Sequence, residues 1–432
     1  MSPVIEFPAY VSVDDALRHI LSICPRLPTE RVSPGDGAER VLATDVVAPI
    51  SLPAFANAAM DGFAVRSEDV TADNALAGLT PAACSLRVIG ESVAGGGVAG
   101  RVEPGTTVRI MTGAMVPLGA DAVVPIEETT PGEKGCILVQ PHSARAGRYI
   151  RQVGEDVSAG EIILRAGRVL APQDIGLLAM PGVEKVAVVR RPRVAILATG
   201  DEVVPADAPI EPGQVRNANT PMLAALINRY GGIPLTLGIA HDTEASLVRW
   251  LQEAFALAPD LILTTAGVSV GDYDLVKTVL DKMGTIVFWK VQMKPGKPLV
   301  AGLLHGPESG KQRVVPMLGL PGNPFSAFVS SEVFVRAALL HMQGRQPVLP
   351  RIQARLDEDV KGTNRRAYIP VRVSLAEQGY GVALCGAGRG SHAMSRLVEA
   401  NGLLAVPAQS SYHTGETVEV LLLTRWEEGS LV

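Results

Sequence analysis

Cysteine is scarce. The 432-residue chain has four, Cys24, Cys84, Cys136 and Cys385, widely spaced and without a C-x-x-C pair. That excludes an obvious zinc site and makes a disulfide framework unnecessary, so buried free thiols are expected. Charge of one sign is also missing: 39 basic and 44 acidic residues leave a net charge of -5. Nothing in that balance calls for nucleic acid or an anionic membrane as partner, although local basic loops can still hold a small anion. No uncharged apolar run reaches about 18 residues, so no transmembrane helix is expected. Residues 1–10 contain Glu6 and two prolines and lack the basic stretch and apolar core of a secretory signal. A soluble cytoplasmic protein is the expectation. The chain also lacks G-x-x-x-x-G-K-[ST], H-E-x-x-H and G-x-S-x-G. Gly386-Ala-Gly-Arg-Gly390 has the wrong spacing for a dinucleotide fingerprint, and no βαβ unit surrounds it.

What remains is a chain made for large cores, with 47% hydrophobic and 19% charged residues. At roughly 150 residues per domain, two to four domains are expected. Val13 to Cys24 has helical apolar spacing with Ser12 as N-cap, and Arg40 to Ile50 reads as extended. From Ser51 to Gln140 the apolar runs become short and turn residues recur: Leu86 to Ile89, Val108 to Met111, Ala122 to Ile126 and Cys136 to Val139 read as strands. Gly160 to Leu170 resembles a hairpin, and Pro172 to Met180 a helix with proline near its start. These signals divide the chain into a discontinuous N-terminal domain (1–50 and 148–182) and an inserted β-rich domain (51–147).

Residues 183–345 read differently. Strands at Val194 to Ala198, Ile233 to Ile239, Leu261 to Thr265, Ile286 to Val291, Leu299 to Leu303 and Val314 to Gly319 accompany helices at Pro221 to Tyr230, Glu244 to Leu257, Asp274 to Met283 and Pro324 to Met342. That alternation predicts a mainly parallel sheet covered on both faces. Residues 346–432 return to strands and turns, which fits a small C-terminal β barrel.

In an open parallel sheet, ligands bind outside the carboxyl ends of the strands. Three strands run into polar loops there: Thr199-Gly200-Asp201-Glu202, Ala266-Gly-Val-Ser-Val-Gly-Asp-Tyr-Asp274, and Gly319-Leu-Pro-Gly-Asn-Pro324. Gly267 and Gly271 lack Cβ atoms and allow backbone N–H groups to approach an anion. Asn323 and Pro324 place a sharp helix start. Either loop alone is an ordinary strand-to-helix turn; two in one domain favour anion binding. Lys290, Lys294 and Lys297 lie in a stretch stiffened by Pro295, Gly296 and Pro298, which suits phosphate or oxyanion charge better than a merely solvated face does. Glu202, Asp242, Asp272 and Asp274 supply hard oxygen ligands of the kind Mg²⁺ takes beside substrate phosphates, although each alone also fits a helix-start charge. His241 has no obvious metal partner and reads as structural. Asp61-Gly62 reads as a turn, and Arg148 to Asp156 as a surface ion-pair cluster.

The ordered set of motifs resembles the molybdopterin molybdenumtransferase family, the MoeA type related to the E domain of gephyrin. It comprises Ala58-Ala-Met-Asp-Gly-Phe-Ala-Val-Arg66, Ile110-Met-Thr-Gly-Ala114, Gly119-Ala-Asp-Ala-Val123, Ile150 to Asp156, Ala198-Thr-Gly-Asp-Glu202, Gly267-Val-Ser-Val-Gly271, Lys294-Pro-Gly-Lys-Pro298, Leu320-Pro-Gly-Asn-Pro324 and Gly390-Ser-His392. The resemblance implies a four-domain protomer in a homodimer, with an active site in the α/β domain completed by the N-terminal region of the other subunit. It implies binding of adenylylated molybdopterin and molybdate, Mg²⁺-dependent hydrolysis of the adenylyl link, and release of AMP with the molybdenum dithiolene. Transient partners would be the adenylylating enzyme and recipient molybdoenzymes.

By matching positions, Asp61, Glu202, Asp274, Lys290 and Lys294 are implied as catalytic, with Glu202 and Asp274 as metal ligands. Thr112, Asp156, Asp242, Gly267, Ser269, Gly271, Lys297, Pro321, Gly322, Asn323 and Ser391 are implied in substrate binding. Arg365 or Arg366 matches a family arginine. The family's usual acid and serine are replaced by Ala56 and Ala58. Three competing readings are a binding scaffold, a molybdopterin adenylyltransferase and a general nucleotide or sugar-phosphate hydrolase. The acids and lysines oppose the first, the flanking domains the second.

Overall fold

The computed structural model describes residues 10–78, 82–97, 100–266, 275–308, 311–377, 379–386 and 393–423. By packing, the chain forms two compact units: residues 1–30, 39–41 and 188–432 in one, and 31–38 and 42–187 in the other.

In the first unit a six-stranded sheet has the order Ile233–Ala240, Arg193–Thr199, Leu261–Thr265, Lys311–Leu320, Pro298–Glu308, Gly284–Lys290. The first four strands are mutually parallel, and Pro298–Glu308 is antiparallel to both its neighbours. Arg193–Thr199 shows why an apolar run becomes a central strand. Successive side chains alternate between faces. Val194 and Ile196 enter one core with Leu223, Ile227 and Phe334, while Ala195 and Leu197 enter another with Leu247, Leu251 and Leu280. The sheet is therefore covered on both sides, as expected. The strands expected at Leu299 to Leu303 and Val314 to Gly319 are longer and pair antiparallel, from Val300 opposite Gly319 to Glu308 opposite Lys311.

The final helix starts at Pro324, with the Asn323 side chain accepting from the Ser326 amide at 3.2 Å. It runs to Met342 through a π turn at Ser331–Val335. It is 19 residues long, and an 18-residue window of it has a mean hydropathy of 1.2, enough by length and composition to cross a membrane, but 78% of that window is buried inside the protein. It is the core helix of this unit.

Helix Val13–Ile23 belongs to the same unit, capped by Ser12 on the Asp15 amide as the sequence predicts. Its apolar stripe, Val13, Ala16 and Ile20, enters the core with Phe288, Val291 and Met293. The C-terminal strands close a five-stranded barrel: Arg366–Ala376, Gly379–Leu384, Arg351–Leu356, Thr417–Leu422 and Gly402–Val406, which returns to Arg366–Ala376. Closure removes the exposed edges.

The second unit is built on a six-stranded sheet in the order Ala122–Pro125, Gly62–Val65, Thr106–Ile110, Cys84–Ser92, Cys136–Val139, Thr129–Pro131. Gly62 is required there, because a Cβ would lie 2.1 Å from the Val124 carbonyl oxygen. The hairpin expected over Gly160 to Leu170 does not form. Ile162–Leu164 instead pairs antiparallel with Val46–Val47, 115 or more residues earlier in the chain, so the partner is non-local and invisible to local turn signals. All four cysteines are free; Cys24, Cys84 and Cys385 are buried as expected, and Cys136 is half-buried.

Candidate active site

The parallel strands deliver their polar loops to one edge. Thr199 stands opposite Ala240, Ala198 opposite Thr265, and Thr265 opposite Leu320. Because Pro298–Glu308 runs the other way, its start lies at that edge too, with Lys290 opposite Pro298. The segment from Lys290 to Lys297 therefore joins the strand ends.

At the first mouth the Thr199 hydroxyl donates to the Thr265 carbonyl at 3.1 Å and ties two strand ends together. Gly200 adopts φ +132°, and a Cβ there would lie 2.7 Å from the Glu202 carboxylate. Glycine thus lets the chain fold back so that exposed Glu202 stands over the strand end. Asp201 accepts from the Asp242 amide at 3.2 Å and pairs with His241 Nδ1 at 3.0 Å. The Asp242 N–H, then His241, hold the Asp201 carboxyl below the usual range. The His241 side chain is 79% exposed, so it is a group of the mouth and not of the core. The sequence placed Asp201 in this polar loop but gave it no role, and its pairing with His241 was not drawn from sequence. The only signal was the position of Asp201 beside Glu202. A cavity of about 650 Å³ adjoins this mouth, lined among others by Gly200, Val203, Asn217, Thr220, Leu237 and His241.

At the Pro321-Gly322-Asn323 mouth, the buried Asn219 amide donates to the Gly322 carbonyl at 2.8 Å. A Cβ on Gly322 would meet the Ala266 side chain at 2.9 Å, so this loop packs tightly against the end of Leu261–Thr265. Lys294 is exposed, while Lys290 and Lys297 are half-buried. Gly296 has φ +98°, and a Cβ there would lie 2.6 Å from the Ser330 hydroxyl, so glycine is needed between the lysines.

The structure thus gathers Glu202, Asp242, Lys290, Lys294, Lys297, Pro321, Gly322 and Asn323 at one sheet edge. Gly267, Ser269, Gly271, Asp272, Asp274 and Ser391 lie outside the described residues. Among the described residues, no group of three His, Cys, Asp or Glu side chains forms a metal-binding set. Glu202 is a hard-oxygen donor in open position, and Mg²⁺ needs only one or two such groups beside a phosphate.

In the other unit, Asp61 accepts from both the amide and the hydroxyl of Thr112, each at 2.7 Å. Those bonds hold the Asp61 carboxyl below the usual range. Asp156 lines a separate cavity of about 470 Å³ with Leu52, Arg151 and Met180. Arg148, read from sequence as part of a local ion-pair cluster, pairs bidentately with Glu128 at 2.7 and 2.8 Å. Of the two candidate arginines, Arg366 forks onto Asp14 and Arg365 donates to the Met293 carbonyl beside Lys294.

Comparison with known proteins agrees with this architecture. Residues 11–182 match the family described as MoeA N-terminal region (domain I and II), 195–341 the one described as Probable molybdopterin binding domain, and 353–423 the MoeA C-terminal region (domain IV). A molybdopterin molybdenumtransferase 2 of Mycobacterium tuberculosis is 37% identical over 375 residues, 85% of this chain and 88% of that protein. The molybdopterin molybdenumtransferase of Haemophilus influenzae is 33% identical over 421 residues, 95% of this chain and 98% of that protein. A crystal structure of a molybdopterin biosynthesis MoeA protein from Pyrococcus horikoshii superposes with a TM-score of 0.78 at 31% identity, covering 96% of this chain and all of that one. The resemblance carried by the short motifs therefore extends through the whole fold, and the chain belongs to the molybdopterin molybdenumtransferase family.

Proposed function

We propose that this protein inserts molybdenum in the biosynthesis of the molybdenum cofactor: it binds adenylylated molybdopterin and molybdate, hydrolyses the adenylyl link, and releases AMP with the metallated dithiolene. The observation that supports this most is the delivery of exposed Glu202 and Asp242 and of the Lys290–Lys297 segment to the same end of one sheet. An anionic ligand is met directly by the lysines, and by the carboxylates through a divalent cation they hold. The lysines neutralise phosphate and oxyanion charge, which lowers the cost of holding two anions side by side. Mg²⁺ would be held by Glu202 and Asp274 and would supply positive charge to the phosphate oxygens. The Pro321–Asn323 turn, packed on Ala266, offers the ligand a rigid wall and the start of a buried helix. Asp61, Thr112 and Asp156 act in this reading from the second copy of a homodimer.

Molybdate binding to the purified protein tests the lysine assignment. Changing Lys294→Ala or Lys297→Ala should weaken binding about tenfold each, the effect of losing one charge-assisted contact. Calorimetric affinities equal to the parent's would remove these lysines from the oxyanion site.

A further inference from the structure

The segment carrying the three lysines has few internal supports. It closes on itself twice, with the Val291 amide donating to the Lys297 carbonyl at 3.1 Å and the Met293 amide to the Val291 carbonyl at 2.8 Å. Its other backbone contacts come from two distant parts of the chain. On one side stands Val11: its amide donates to the Lys290 carbonyl at 2.9 Å, and its carbonyl accepts from the Gln292 amide at 2.8 Å. On the other side Met293 and Lys294 run parallel to Arg366 and Ala367 of the barrel, and the Arg365 guanidinium donates to the Met293 carbonyl at 3.3 Å.

These two supports are joined to each other. Arg366 places both terminal nitrogens on the two Asp14 carboxylate oxygens, at 2.8 and 2.9 Å. Asp14 stands in the first turn of Val13–Ile23, three residues beyond Val11. That turn is itself fixed, by the Ser12 cap and by burial of Val13 and Ala16. The result is a closed ring of contacts from Val11 through the lysine segment to Arg366 and back through Asp14.

We propose that the Asp14–Arg366 pair is a clamp that positions the lysine segment for its oxyanion. Three ammonium groups within eight residues repel one another, and a free segment would splay them. Held from both sides, they meet an anion without first losing backbone freedom, which is where preorganisation raises affinity. A bidentate guanidinium–carboxylate fork has the directional stiffness this needs, and a single point charge does not. Arg366 holds the Asp14 carboxyl below the usual range, so the pair persists through neutral pH. Asp14 touches no substrate in this account; it is a positioning residue. The inference rests on the oxyanion-binding reading of the lysines.

Two readouts on the full-length protein separate it from that reading. Hydrogen exchange without ligand should be faster at the Gln292 amide, which donates to Val11, in Asp14→Asn, and return toward the parent rate in Asp14→Glu. Molybdate affinity should fall about three- to tenfold in Asp14→Asn and recover in Asp14→Glu, the scale of one ordering contact. Unchanged exchange in Asp14→Asn overturns the clamp, as does an affinity loss that Asp14→Glu does not recover. If the parent protein binds no molybdate, the oxyanion reading fails, and the exchange rates alone decide the clamp.

Discussion

Asp61 receives two hydrogen bonds from one residue, Thr112, 51 positions away. Both bonds end on one carboxylate oxygen and are stronger when the group is ionised. Its folded pKa is depressed, so the contribution is present above the unfolded Asp value and is lost as pH falls through the folded value. An NMR titration should therefore place the Asp61 midpoint below that of an unperturbed Asp. Thr112→Val, which keeps the amide and removes the hydroxyl, should move the midpoint part of the way up. A midpoint unaffected by that change would mean that the hydroxyl bond does not form. The sequence marked Asp61 through its neighbour Gly62, read as a turn. The actual need for glycine is the approach of the Val124 carbonyl across the sheet. The link to Thr112 had no signature in spacing; only the family resemblance put both residues on one list. His241 was read as structural because local sequence showed no metal partner for it, and its acid, Asp201, lies 40 residues away.

At the scale of elements, periodicity was the legible part. Leu261–Thr265 and Cys136–Val139 occur at the expected residues, and the remaining α/β strands agree within a few positions. The pairing partner was not legible where it was distant: Ile162–Leu164 finds Val46–Val47 across the unit. The final helix was expected as one element, but its π turn was not, and neither was what that turn holds. Glu332, 1% exposed, pairs with Arg336 at 3.1 Å in the core. Desolvation raises the Glu332 pKa, against the opposing pull of Tyr230 and Arg336. A raised acid favours the protonated fold. Stability is then fully present below the unfolded Glu value and declines as pH rises through the folded one. Denaturant unfolding at several pH values should show this decline, and Glu332→Gln should flatten it. A variant with the parent's pH dependence would contradict the assignment.

At the scale of the whole molecule, the arrangement of the α/β unit explains why so many motifs separated in sequence serve one edge. Parallel strands bring their carboxyl ends together, and one reversed strand adds the Lys290–Lys297 segment to the same side. That convergence could be foreseen, because the crossover rule for parallel sheets applies to any such alternation of strands and helices. The incorporation of Val13–Ile23 into this unit could not, because an amphipathic stripe states that it must be covered and not by what. The same holds for the barrel strand that runs beside Met293 and Lys294.

The central claim is that this edge releases AMP while molybdenum enters the dithiolene. The direct measurement incubates the purified protein with adenylylated molybdopterin, Mg²⁺ and molybdate, and follows AMP together with activation of a cofactor-free molybdoenzyme. AMP release coupled to activation, both abolished by Asp274→Asn with the fold intact, is the predicted result. No AMP and no activation from the unaltered protein would contradict it.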